Sequence, residues 1–187
     1  MRWDELFADL ESEWGALSAA ERASETADRT RAELAQITLL DRLRASVDGV
    51  VDVRTGAGER HGVISRVGAD FVLLDEMNGR ELLLPTGAIL GVSGLAMAAR
   101  SALAVGPVAS RLGLRSALRG LVRDRSAVTV LQWGECSVHG TPRVVGADYL
   151  ELAVHHVGEP PRPQLVRRIE AIPFTALCGV RREAPPW

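Results

Sequence analysis

Four histidines, two cysteines and one repeated aspartate are the side chains whose types and placement invite a chemical reading. His61 and His139 each stand directly before a glycine. Such a pair suits a shared pocket or a pH-sensitive contact, and equally suits ordinary strand positions kept through duplication. His155 and His156 are adjacent, so on a strand their rings leave opposite faces and do not chelate one ion. Asp70 and Asp148 each close a Gly-Ala-Asp triplet. They read as turn residues that accept backbone N–H groups rather than as an acid–base pair. Cys136 and Cys178 have neither metal nor redox spacing. Both lie in apolar, strand-like runs, so buried free thiols are expected. No nucleophile elbow, phosphate loop, H-E-x-x-H or dinucleotide fingerprint occurs. The expectation is a protein that is not an enzyme, with no catalytic residue, metal or cofactor.

Charge gives a different kind of candidate. The chain has 22 basic and 24 acidic residues, and every basic one is arginine. Near-neutrality excludes a generic nucleic-acid glue. Residues 95–125, however, carry six arginines against one acid. Arg111, Arg115, Arg119 and Arg123 recur every four residues, and Arg125 follows. On a helix this spacing lays a basic stripe along one side, which is the pattern of a surface that tracks phosphates. A solvated face, or one neutralised by the acidic N-terminal residues, gives the same pattern.

These residues are positioned by a duplication. Val67-Gly68-Ala69-Asp70-Phe71-Val72-Leu73-Leu74 matches Val145-Gly146-Ala147-Asp148-Tyr149-Leu150-Glu151-Leu152. The same offset aligns His61-Gly62 with His139-Gly140, and Val51-Asp52-Val53 corresponds to Val128-Thr129-Val130. Leu84-Pro85 and Ala88 to Val92 match Ile172-Pro173 and Ala176 to Val180 after a longer, proline-containing insertion near residues 158–166. Self-similarity of this kind implies two copies of one unit. Within a copy, alternating apolar residues and Gly/Asp turns predict five short strands. Apolar residues make up 47% of the chain but aromatics only 4%, so the core must come from Leu, Val, Ala and Ile.

Helices precede the copies. Trp3, Phe7, Leu10, Trp14 and Leu17 form one apolar seam. Ser18 with Glu21 is a capping box for a second helix expected to run to about Ser46. Leu112, Leu114, Leu118, Leu121 and Val122 predict a helix before the second copy. The expected organisation is a helical arm at 1–47, a first unit at 48–94, a linker and basic helix at 95–125, a second unit at 126–182 and a tail at 183–187. No basic leader and no membrane-spanning window is recognisable, so the cytoplasm is the expected compartment.

A helix leading into five strands, with Val67 to Leu74 and Val145 to Leu152 carrying a Gly-Ala-Asp-aromatic turn, resembles the Sm and Sm-like family, closest to its bacterial Hfq-type branch. The layout is also similar to a group of actinobacterial proteins with tandem units. The resemblance implies an α+β, mainly β fold: two tandem Sm-like (SH3-like) five-stranded barrels, each preceded by a helix. It also implies rings of six or seven units joined edge to edge, and binding of uridine- or adenine-rich RNA. The family's base-reading residues are not matched. Val72 to Leu74, Leu150 and Leu152 are apolar where an Asn is expected, and Pro85-Thr86-Gly87 and Pro173-Phe174-Thr175 replace an Arg-Gly pair. The leading expectation is therefore a non-enzymatic, self-associating scaffold, with a trimer supplying six units. RNA binding through Arg111 to Arg125 is the alternative. A small-molecule or peptide sensor with the proline-containing insertion as its lid is a third.

Overall fold

The computed structural model describes Trp14 and residues 31–32, 34–77, 79–97, 112–158, 162 and 164–182. The chain divides into a unit of residues 1–38 and a unit of residues 39–187. In the first, Trp14 and residues 31–32 and 34–35 are helical. The rest of the apolar seam at 3–17, most of the 95–111 linker and the tail lie outside the described residues. The helix expected to continue to Ser46 breaks at residues 36–38.

The larger unit begins with α1 (Leu39–Ala45) and then forms β1 (Val50–Thr55), β2 (Gly58–Val67), β3 (Phe71–Glu76), β4 (Glu81–Pro85) and β5 (Ile89–Ser93). After the linker come α2 (Leu114–Asp124), β6 (Val128–Gln132), β7 (Ser137–Val145), β8 (Tyr149–Val154), β9 (Arg168–Pro173) and β10 (Leu177–Arg182). The two copies are alike in detail. Val51 pairs with Gly62 and Asp52 with His61, as Val128 pairs with Gly140 and Thr129 with His139. One bulge falls between Ile64 and Arg66 in the first copy, and its counterpart falls between Pro142 and Val144 in the second. Bulges bend a strand and raise its twist, so each copy curves over its own core. In the first core Val51, Val53, Ile64, Leu74 and Leu82 are buried, and in the second Val128, Val130, Leu150, Leu152 and Ile172.

Two closed barrels are not what forms. The strands make a single ten-stranded antiparallel sheet in the order β5-β1-β2-β3-β4-β10-β6-β7-β8-β9. The edge of β4 does not return to β5 of its own copy. It pairs with β10 instead, Leu83 opposite Val180, Leu82 opposite Arg181 and Glu81 opposite Arg182. The reason is physical: an edge strand offers the same row of N–H and C=O groups to any partner. Side-chain packing then selects between the partners. Phe71 and Leu83 of the first copy enter the second core, and Leu131 and Cys178 of the second copy enter the first.

Helix α2 has the sequence pattern that buries one side. Leu114 and Leu118 are buried while Arg115 and Arg119 face solvent. It ends on Arg125 in the left-handed region (φ 50°, ψ 33°). The N–H of Ser126 reaches Leu121 O, the pattern of a Schellman cap.

Candidate functional site

The junction between the copies is the most elaborately built place in the molecule. Its backbone part is the β4–β10 ladder. Gly179 on β10 gives the facing strand room there: a Cβ would lie 3.1 Å from both Leu82 Cδ1 and Leu84 Cδ2, so those methyls would have to shift by a few tenths of an ångström. An ion pair pins the ladder: Arg181 Nε lies 2.9 Å from Glu76 Oε2, and Arg181 Nη2 donates to Glu76 Oε1 at 3.2 Å. The pair is largely shielded, with side-chain exposures of 20% and 9%, and of its two contacts the one from Nη2 to Oε1 has hydrogen-bond geometry.

The turn at residues 68–70 provides a second clasp. The helix α2 starts at Gly113, which offers no side chain to its own first turn. Asp70 Oδ1 accepts the N–H of Leu114 at 2.6 Å, and the N–H of Ala69 donates to Leu112 O at 3.0 Å. A Cβ on Gly68 would stand 2.6 Å from Leu112 O, so only glycine allows this approach. The sequence marks Asp70 as a turn residue, but its partner is 44 positions away, in the helix of the other copy.

The strands, the glycine and the turn of this junction have counterparts at the ends of the sheet; the ion pair does not. Alignment of the copies sets β5 against β10 and β9 against β4, and β5 and β9 are the two outermost strands. Cys178 is fully buried in the junction, while its counterpart Leu90 is 51% exposed. Leu83 is buried, while its counterpart Ala171 is exposed. Asp148 matches Asp70, yet among the described residues its carboxylate has no partner.

The other candidates occupy ordinary positions. His61 Nδ1 lies 2.7 Å from Asp52 Oδ1 on the exposed surface. His139 Nδ1 lies 3.1 Å from Thr129 Oγ1 at the equivalent register. The two histidines therefore share no pocket; each bonds its neighbouring strand. The rings of His139 and His155 meet edge to face at 5.2 Å. His155 is buried, and its Nδ1 lies 2.9 Å from His156 O. A carbonyl only accepts, so Nδ1 carries the proton and Nε2 accepts from the Thr141 hydroxyl at 3.0 Å. That is a satisfied core histidine. His156 faces solvent.

Cys178 is buried as expected, and burial pushes its thiol pKa up. Cys136 is exposed, contrary to expectation. It sits just past a one-turn 3-10 segment, Trp133–Glu135, which interrupts the apolar run. Among the described residues no group of three or more His, Cys, Asp or Glu converges for a metal, and no helix is long and apolar enough to cross a membrane.

Arg115, Arg119, Arg123 and Arg125 are all exposed on or just after α2; Arg111 lies outside the described residues. Asp124 is the acid that intrudes among them, 3.7 Å from Arg123 Nε. A cleft of about 420 Å³ lies beside the same helix, with Leu73, Leu83, Val180 and Leu121 in its walls and Arg66, Glu81 and Arg182 at its rim. The chain matches no protein-family model and no curated protein.

Proposed function

We propose that this chain is a cytoplasmic, non-enzymatic scaffold that assembles with itself by strand-edge pairing. One observation carries the reading. The chain joins its two copies through β4 and β10, and it leaves the equivalent strands β9 and β5 at the ends of the sheet. A molecule that solves the edge problem once inside itself has the parts to solve it again between chains. Unpaired edges are otherwise blunted by charge, proline or short length. Here the end strands run five and six residues and carry Leu90 and Ile169 exposed, the latter between Arg168 and Glu170 on a strand that ends at Pro173.

The resemblance to Sm-like proteins agrees with this reading, since that family assembles edge to edge. Edge pairing of this kind is head-to-tail, and it closes into a ring only when the rotation per unit divides a full turn. A trimer, with six copies of the repeat, is the form proposed. Light scattering on the purified chain tests it. A mass near 60 kDa, three times 20.1 kDa, is expected at micromolar concentration. A mass of one chain at that concentration sinks the proposal.

RNA binding is the second reading, favoured by the four exposed arginines of α2 and its C-cap. Fluorescent uridine- and adenine-rich RNAs titrated at low and near-physiological salt test it. Replacing Arg115 and Arg119 by Ala should weaken binding and flatten its salt dependence, by roughly 0.7 in log–log slope for each phosphate of a single strand that is no longer neutralised. Unchanged binding rules out this surface.

A further inference from the structure

Resting on the self-assembly reading above, we infer that β9 and β5 are the two halves of one interface, with a second copy of this chain as its occupant. β9 of one chain lies antiparallel to β5 of the next, with Ala171 opposite Val92 and Glu170 opposite Ser93; the ladder ends there, because Gly94, the counterpart of Arg182, leaves the strand at φ 83°. The register comes from the internal junction, in which Leu83, Leu82 and Glu81 stand opposite Val180, Arg181 and Arg182. Each of those six residues is carried to its repeat counterpart 88 positions away.

Four observations converge on this occupant. The outer edges of β5 and β9 have no strand partner among the described residues. β5 bulges against β1 at Leu90 as β10 bulges against β6 at Cys178, so the end strand already has the shape of the engaged one. Leu90, half exposed, holds the position from which Cys178 enters the neighbouring core. Gly91 holds the position of Gly179, where the missing side chain admits the partner strand.

The turn carries the same asymmetry. Asp70 accepts a backbone N–H from the segment entering the second repeat. Asp148 is in the same turn, exposed and without a partner among the described residues. In the assembly it accepts a backbone N–H from the segment entering the first repeat of the next copy. The contact is heterologous, so each chain gives β9 and Asp148 at one end and β5 at the other.

Cross-linking reads the register directly. Opposed residues of an antiparallel pair have Cα atoms about 4.5–5.5 Å apart, within the range a disulfide spans. In a full-length Cys136→Ser background, Ser93→Cys combined with Glu170→Cys should oxidise to a ladder of dimers and higher species on a non-reducing gel. Ser93→Cys combined with Ala171→Cys, one position out of register, should give little. Asp148→Ala, an exposed change, should leave the circular-dichroism spectrum intact and weaken association roughly five- to tenfold, the effect of losing one cap.

The inference is overturned by dimers from Ser93→Cys alone, which place β5 against β5. It is overturned equally by a disulfide within one chain, or by matched and shifted pairs that cross-link alike. Any of these in a chain that still has a multimeric mass leaves self-assembly standing and removes this interface. A monomeric mass removes both.

Discussion

The Arg181–Glu76 pair should behave as a structural clasp between the copies. Glu76 is on β3 of the first copy and Arg181 on β10 of the second, so removing either side chain tests whether the repeats are one cooperative body. A fully buried pair typically loses about 3–5 kcal/mol when one partner is removed. Arg181 retains 20% of its side-chain surface, so water recovers part of the loss, and about 2 kcal/mol is expected for Glu76→Gln or Arg181→Met alone. The double variant leaves no stranded charge. It should cost less than the sum of the singles, with a coupling of about 1–2 kcal/mol. Urea unfolding of the three variants gives these values from the midpoints, provided that m is unchanged. The wild type should unfold in one transition, because Phe71, Leu83, Leu131 and Cys178 each sit in the other copy's core. A coupling below about 0.5 kcal/mol, the range of exposed pairs, would refute the clasp. Two separated transitions would refute the shared cores.

Three further outcomes follow from local geometry. Asp70→Ala should destabilise the chain by about 1 kcal/mol, as loss of an N-terminal cap does, read by thermal melting. Arg125→Gly should stabilise it by about 0.5–1 kcal/mol, because a side chain at φ 50° gives way to the residue that favours that region; a lower melting temperature would contradict the cap. Under native conditions one thiol per chain, Cys136, should react quickly with a thiol reagent, and Cys178 only on unfolding. Its raised pKa means that the folded chain holds the Cys178 proton more tightly than the unfolded chain does. This contribution to stability is complete below the unfolded value near 9.0 and falls as the pH rises above it. Cys178→Ala should flatten that alkaline loss.

The strands, turns and duplication were legible in the sequence because they are written in local pattern. Alternation at Val51 and Val53, glycine and aspartate at the turns, and identical triplets at Gly68 and Gly146 all report nearest-neighbour geometry. Edge partners are not written that way. β4 offers the same backbone to β5 as to β10, and no count of strands distinguishes closure within a copy from continuation into the next. A signal does exist, in the differences between the copies rather than their likeness. Glu81-Leu82-Leu83-Leu84 is apolar after its first residue, whereas its counterpart Ile169-Glu170-Ala171-Ile172 mixes charge with apolar groups. The strand that meets its neighbour within every chain is the apolar one. Likewise Asp70 and Asp148 look identical in sequence, and only the fold shows that one is engaged.

The same comparison explains how an internal junction and an external one can share a plan and differ in strength. The clasp residues Arg181 and Glu76 have Ser93 and Val154 as counterparts, so the end strands lack the ion pair. Leu83 becomes Ala171, which shrinks the apolar surface on offer, and Phe71 becomes Tyr149, a ring that tolerates water at its hydroxyl. These changes weaken the end junction, while Leu90 for Cys178 and Ile169 for Glu81 leave it some apolar surface. The junction that must survive within each folded chain is apolar and pinned by charge. The ends keep the backbone edge, the bulge, the glycine and the turn carboxylate, which set geometry, and give up the groups that set affinity. An interface of that composition is specific in register but reversible with concentration, so the chain can fold alone and assemble afterwards. Restoring the leucine of the inner strand at the exposed end, with Ala171→Leu to match Leu83, should therefore tighten association by about tenfold, read by light scattering against concentration.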